Sequence, residues 1–270
     1  MDKPVLLDGA FGTCIWAEAA KRGIAQIPTW RYNLENPGLV SDVIKSYADA
    51  GSEIILSNTF VASRPFLEHE GAEDKLSEVI KKGIEIIKDS ADVQVAYSMG
   101  PLPKMLEPYG NLSEAEARDI YQECMDIAIT KDPDYILLET YTDLNMLEIA
   151  ASVAAETKIP LICCLSFGES RKTLLGDSVS DMIVRLKKYN PCAVGMNCTV
   201  GPDSACNIIN EFADNTDIDL WVKPNATGFS AKEFAEGLSP ILGKVSYIGA
   251  CCGSNPNYIA ELKRLIESSR

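Results

Sequence analysis

The sequence predicts a (β/α)8 TIM barrel, an α/β fold, on three observations. Eight short apolar runs alternate with amphipathic stretches along 270 residues, the length that eight strand–helix units need. The run Tyr135-Ile136-Leu137-Leu138 shows no alternation, as expected of a strand buried on both faces of a parallel sheet. Nearly every run ends in polar residues, which a barrel gathers at the face where catalytic groups converge. A doubly wound sheet is the alternative; it usually needs fewer strands and a Gly-rich turn.

In order, the expected strands are 5–8, 53–57, 94–98, 135–139, 161–166, 193–197, 220–223 and 247–251. Helical patterns fall at 39–50, 72–90, 114–130, 144–156, 180–188, 203–213, 231–238 and 256–267. Ser113 followed by Glu116 is a capping box, and Pro256 after Asn255 is a first-turn proline. With no long linker, low-complexity tract or internal repeat, residues 1–270 are expected to form one domain.

A formal charge of −14 argues against a nucleic-acid partner, because phosphate binding needs a basic surface. No apolar run approaches the ~18–20 residues that span a membrane. The first residues lack the basic and apolar regions of a signal peptide, so a cytoplasmic protein is expected. Nine cysteines in such a chain read as reduced thiols, and no CxxC pair supports a zinc finger or a thioredoxin-type motif. The one histidine, His69, excludes a multi-histidine metal site.

Cys198 closes Gly-Met-Asn-Cys, and Cys251-Cys252 stand in Ile-Gly-Ala-Cys-Cys-Gly. Both clusters follow apolar runs, so both should lie at strand C-termini. Three thiols meeting there would bind tetrahedral zinc and leave one position open for an incoming thiol. Neighbouring strand residues face opposite ways, so Cys251 and Cys252 can share an ion only where the strand ends; Gly253 permits the turn. The alternative is three inert, core-like cysteines, which describes Cys14, Cys124, Cys192 and Cys206 well. Cys163-Cys164 lie inside an apolar run and read as core.

The segment from Asp8 through Gly9, Ala10, Phe11 and Gly12 to Thr13 carries two glycines three apart. They allow close backbone approach to a ligand, with amide donors suited to a carboxylate. An ordinary strand-to-helix turn is the alternative. The third glycine of GxGxxG and the lysine of a P-loop are missing, which disfavours a nucleotide. Glu139 could meet a ligand ammonium or cap the next helix. Asn58, Asn197 and Asn225 could orient a ligand or form Asx turns.

These segments together resemble the homocysteine S-methyltransferase family, which includes the homocysteine-binding module of cobalamin-dependent methionine synthase and the betaine–homocysteine methyltransferases. The resemblance lies in the 8–13 segment, Asn36-Pro37 leading to the residues 47–51, Ser57-Asn58-Thr59-Phe60, Ser98-Met99-Gly100-Pro101, Leu138-Glu139-Thr140, Gly195-Met196-Asn197-Cys198, Lys223-Pro224-Asn225 and the residues 249–253. It implies a (β/α)8 fold, Zn2+ on Cys198, Cys251 and Cys252, and homocysteine held through its amino group by Asp8 and Glu139. The backbone of 9–13, with Asn58 or Ser98, would contact the carboxylate. Ala250 and Ala10 each stand where family members have glycine, adding a methyl group to the pocket.

The implied reaction is methylation of homocysteine to methionine, part of methionine biosynthesis. The 57–60 segment is closer to the methionine-synthase module than to S-methylmethionine-using members. A methyl-corrinoid (methylcobalamin type) on a separate protein is therefore the expected donor, with S-methylmethionine, S-adenosylmethionine or betaine as alternatives. Two other classes stay open: a non-catalytic zinc-binding or corrinoid-docking subunit, and a metal-free lyase using Lys223 as a Schiff base.

Overall fold

The computed structural model describes residues 3–269. The eight strands are β1 (Val5–Leu6), β2 (Ile54–Leu56), β3 (Gln94–Met99), β4 (Tyr135–Tyr141), β5 (Leu161–Leu165), β6 (Ala193–Cys198), β7 (Asp219–Pro224) and β8 (Tyr247–Ile248). They form one parallel sheet in the order β1-β8-β7-β6-β5-β4-β3-β2. A parallel bridge from Leu7 to Ile54 joins its two ends, giving the expected barrel.

Eleven α-helices lie among the described residues: α1 (Phe11–Lys21), α2 (Tyr32–Glu35), α3 (Pro37–Ala50), α4 (Arg64–Glu68), α5 (Leu76–Ser90), α6 (Glu114–Ala128), α7 (Leu144–Ala154), α8 (Val179–Leu186), α9 (Pro202–Asn215), α10 (Ala231–Leu238) and α11 (Pro256–Ser268). Ser113 and Glu116 form the capping box that starts α6, and Pro256 opens α11 behind an Asn255 cap. Two more boxes, Ser178–Asp181 and Ser230–Glu233, start α8 and α10.

The structure corrects three expectations. Helix α1 lies outside the expected helical patterns, because it buries only Ile15 and Ala19 completely and so shows a thin apolar stripe. Residues 73–75 form a 3-10 turn, so α5 starts at Leu76 rather than at 72. Regular strand ends at Leu6 in β1 and at Ile248 in β8, short of the expected 8 and 251, although backbone bonding continues past both ends. Leu7 N–H donates to Ile248, Ala250 N–H to Asp8, and Cys251 N–H to Pro224.

Side chains fill the barrel interior rather than leaving a pore, with Leu7, Ile54, Leu137, Ile162, Cys164 and Trp221 fully buried. Near the strand N-termini, aromatic rings seal it: Trp221 and Tyr247 have centroids 5.3 Å apart, and Tyr135 and Tyr247 6.4 Å. A larger apolar layer between strands and helices contains Cys163, so the Cys163-Cys164 pair is core, as expected. No helix among the described residues is long and apolar enough to cross a membrane.

Candidate metal centre and acceptor pocket

Strand β6 ends in an abrupt turn. Cys198 and Thr199 both adopt left-handed backbone, φ 61° and 52°, and Val200 N–H closes onto the Cys198 carbonyl at 2.7 Å. Two consecutive non-glycine residues in that region are uncommon, and such strain collects where structure serves a site. On the neighbouring segment Gly253 supplies φ 83°, and a Cβ there would lie 2.6 Å from the Thr227 nitrogen. The turn is further tied by Ser254, whose Oγ donates to the Cys251 carbonyl at 2.7 Å. Cys251 and Cys252 thereby reach the same side despite being adjacent.

The result is a sulfur cluster. The Sγ atoms of Cys198, Cys251 and Cys252 all lie within 4.8 Å of one another, and Cys198 Sγ is 3.6 Å from Cys252 Sγ. Hydrogen bonds from Cys198 and Cys251 hold the Cys252 thiol down at about 3, and the same contacts, with burial, push Cys251 well above its usual range.

Glu139 stands across the same end of the barrel. A register shift between Leu138 and Tyr141 interrupts β4–β5 pairing, and Thr140 takes φ 64°. Asn197 locks this bulge: its Oδ1 accepts Thr140 N–H at 2.8 Å, and its Nδ2 donates to Thr140 Oγ1 at 2.7 Å and to Glu139 Oε2 at 3.0 Å. Ser98 Oγ donates to Glu139 Oε1 at 2.5 Å. Burial raises the Glu139 carboxyl, and the nearby Lys223 ammonium opposes the rise.

Asp8 is fully buried and fully occupied. The Lys223 ammonium bonds Oδ1, and Leu56 N–H donates to Oδ2 at 2.9 Å. Burial raises the Asp8 carboxyl against the pull of Lys223. Burial also opposes charge on Lys223, but Asp8 and Glu139 outweigh it and keep the amine above its ordinary value. A lysine held as a paired cation is not the free amine that a Schiff base needs.

The cavity between these groups measures about 320 Å³. Phe11, Trp16 and Phe60 give it apolar walls; Ser98, Glu139, Thr140, Lys223 and the three cysteines give it polar ones. Its floor includes the start of α1. That helix has no side-chain cap, so the N–H groups of Phe11, Gly12 and Thr13 are left for a ligand, with the helix dipole behind them. Gly9 is needed for close approach, since a Cβ would sit 2.6 Å from Ser254 Oγ.

Some expected site residues take other roles. The Ala10 N–H goes to Ser254 Oγ at 2.9 Å, and Thr13 Oγ1 turns back to the Ala10 carbonyl at 3.4 Å. Asn58 lines the cavity, but its Nδ2 donates to the Thr29 carbonyl at 2.7 Å and to Asn33 Oδ1 at 2.8 Å. Both of its amide protons are thus engaged within the protein. Asn197 is buried outside the cavity lining and donates to Glu139. His69 is exposed at the end of α4. Sequence reading missed the anchoring by Ser254 and the pairing of Lys223; only the position of Ser254 just after Gly253 offered a hint.

A family model for homocysteine S-methyltransferase matches residues 5–266. Methionine synthase of Mycobacterium tuberculosis (strain ATCC 25618 / H37Rv) is 26% identical over 257 residues, covering 85% of this chain and 22% of that protein. Betaine–homocysteine S-methyltransferase 1 of Rattus norvegicus is 22% identical over 304 residues, covering 98% of this chain and 73% of that one. The chain thus spans about a fifth of the length of the methionine synthases it matches. The metallated form of the homocysteine methyltransferase MmuM from Escherichia coli shares the fold, with a TM-score of 0.83 at 20% identity over 97% of this chain and 96% of that one. With the match extending over nearly its whole length, the chain belongs to the homocysteine S-methyltransferase family.

Proposed function

We propose that the chain is a zinc-dependent enzyme that methylates homocysteine to methionine, taking the methyl group from a methyl-corrinoid on a separate protein. The reading is carried by three cysteine sulfurs within 4.8 Å of one another beside a cavity that also holds a buried carboxylate and an uncapped helix start.

The donor set fits the metal. Three thiolates suit zinc, and tetrahedral sulfurs at about 2.3 Å from the ion would stand about 3.8 Å apart. The Cys198–Cys252 separation of 3.6 Å needs little adjustment to match. Zinc in this place supplies a thiolate form of the acceptor sulfur at neutral pH.

The chain's own residues orient the rest of the acceptor. Glu139, fixed by Ser98 and Asn197, meets the ammonium. The Phe11, Gly12 and Thr13 N–H groups meet the carboxylate. The apolar walls restrict water and leave one line of approach to the sulfur, so orientation supplies much of the acceleration. No further general base is needed.

The corrinoid assignment is supported by the 57–60 segment and by the methionine synthases among the relatives. Betaine is the second reading, favoured by the rat relative. The test is a parallel assay of methionine formation from methylcobalamin, S-methylmethionine, S-adenosylmethionine and betaine, on protein checked for metal. About one zinc per chain, lost in Cys198→Ala, and turnover with methylcobalamin are expected. A stable protein that takes up no zinc overturns the metal assignment, and turnover with betaine alone overturns the donor. Homocysteine binding without turnover on any donor points to a docking subunit.

A further inference from the structure

We infer that Lys223 stands in for an acceptor ammonium against Asp8, so that the pocket accepts short thiol carboxylic acids with or without an α-amino group. This rests on the thiol site proposed above and narrows its substrate class.

Two buried carboxylates, Asp8 and Glu139, occupy one corner of the barrel. Left alone they would demand a cation from the ligand, because a buried carboxylate without a partner is costly. Here that demand is met from within the chain. Asp8 has the Lys223 ammonium on one oxygen and Leu56 N–H on the other. Glu139 has Ser98 on one oxygen and Asn197 on the other. Neither carboxylate is left without a donor when the ligand brings no ammonium.

Access agrees with this accounting. Lys223 lines the cavity, whereas Asp8 does not, so a ligand meets the cation first. An ammonium has three N–H donors, and among the described residues only Asp8 takes one, so two remain for an anionic or neutral ligand end. A pocket built to hydrogen-bond a substrate amine rejects the analogue lacking it by about 10⁴-fold, since its own groups are then stranded. Lys223 removes that penalty.

The test compares homocysteine with its desamino analogue, γ-mercaptobutyric acid, by calorimetry on the zinc-loaded full chain. The two Kd values are expected within about tenfold of each other. In Lys223→Met, Asp8 is stranded and recruits the ligand ammonium, so preference for homocysteine should rise about 100-fold. In Asp8→Asn/Lys223→Met both charges are gone, and the preference should return to near the parent value. That double variant and the parent ratio decide the matter if Lys223→Met fails to fold. Homocysteine binding with no binding of the analogue overturns the inference and leaves the methyltransferase reading intact. Binding of neither thiol withdraws both.

Discussion

The two ends of the barrel are built from the same eight strands and behave in opposite ways. Near the strand N-termini, Trp221, Tyr247 and Tyr135 pack ring against ring, and no ionisable pair is buried among them. At the C-termini, Asp8, Glu139 and Lys223 are buried with the sulfur cluster beside them, and residues 140, 198 and 199 hold left-handed backbone. One end gains stability by excluding water from apolar surface. The other holds strain and charge that the packed end must offset. Stability and chemistry are therefore separable along the barrel axis, as expected where active sites sit at strand C-termini.

The strongest way to break this contrast is at the apolar end. Trp221→Ala removes the largest fully buried side chain and is expected to lower unfolding free energy by about 3–5 kcal/mol. Zinc content per folded molecule should stay the same; denaturant titration and metal analysis read the two quantities. Coupled loss of zinc at constant folded fraction would show that the ends are not independent.

A smaller effect is expected from Asn197→Ala, which sharpens the contrast from the polar end. The variant frees Thr140 N–H and one oxygen of Glu139, so homocysteine binding should weaken by about tenfold, a cost of about 1.4 kcal/mol. Zinc affinity should be unchanged, because no sulfur moves. Equal losses of zinc and homocysteine would make Asn197 a support of the whole rim rather than a positioning residue for Glu139.

The smallest effect concerns pH. The folded Lys223 amine lies above its ordinary value, held there by Asp8 and Glu139. A raised lysine contributes stability that is complete below its unfolded pKa and lost as pH rises through the folded one. Melting curves above about pH 10.4 should therefore bring the parent and Asp8→Asn/Lys223→Met closer together, by roughly a few degrees. A gap that stays constant over that range would mean that the pair contributes nothing through its charge.

Much of this architecture was legible in the chain. The continuous apolar run of β4, the Ser113–Glu116 box and the Asn255-Pro256 start each fix an element through contacts only a few residues long. The meeting of the three cysteines was legible for a related reason. Cys198 and Cys251-Cys252 each close an apolar run, so a parallel barrel had to bring them to one face.

What the sequence by itself determined, then, is the periodicity of strand and helix and the residue types delivered to each strand end, because both are set by neighbours along the chain. Only the tertiary structure decided who meets whom there. Lys223 pairs with Asp8 across 215 residues, Asn58 turns its amide to Thr29 and Asn33, and Asn197 donates to Glu139. Any of several polar groups could have filled those places. Barrel closure fixed the distances, and the cost of leaving a buried charge or N–H without a partner selected the pairs.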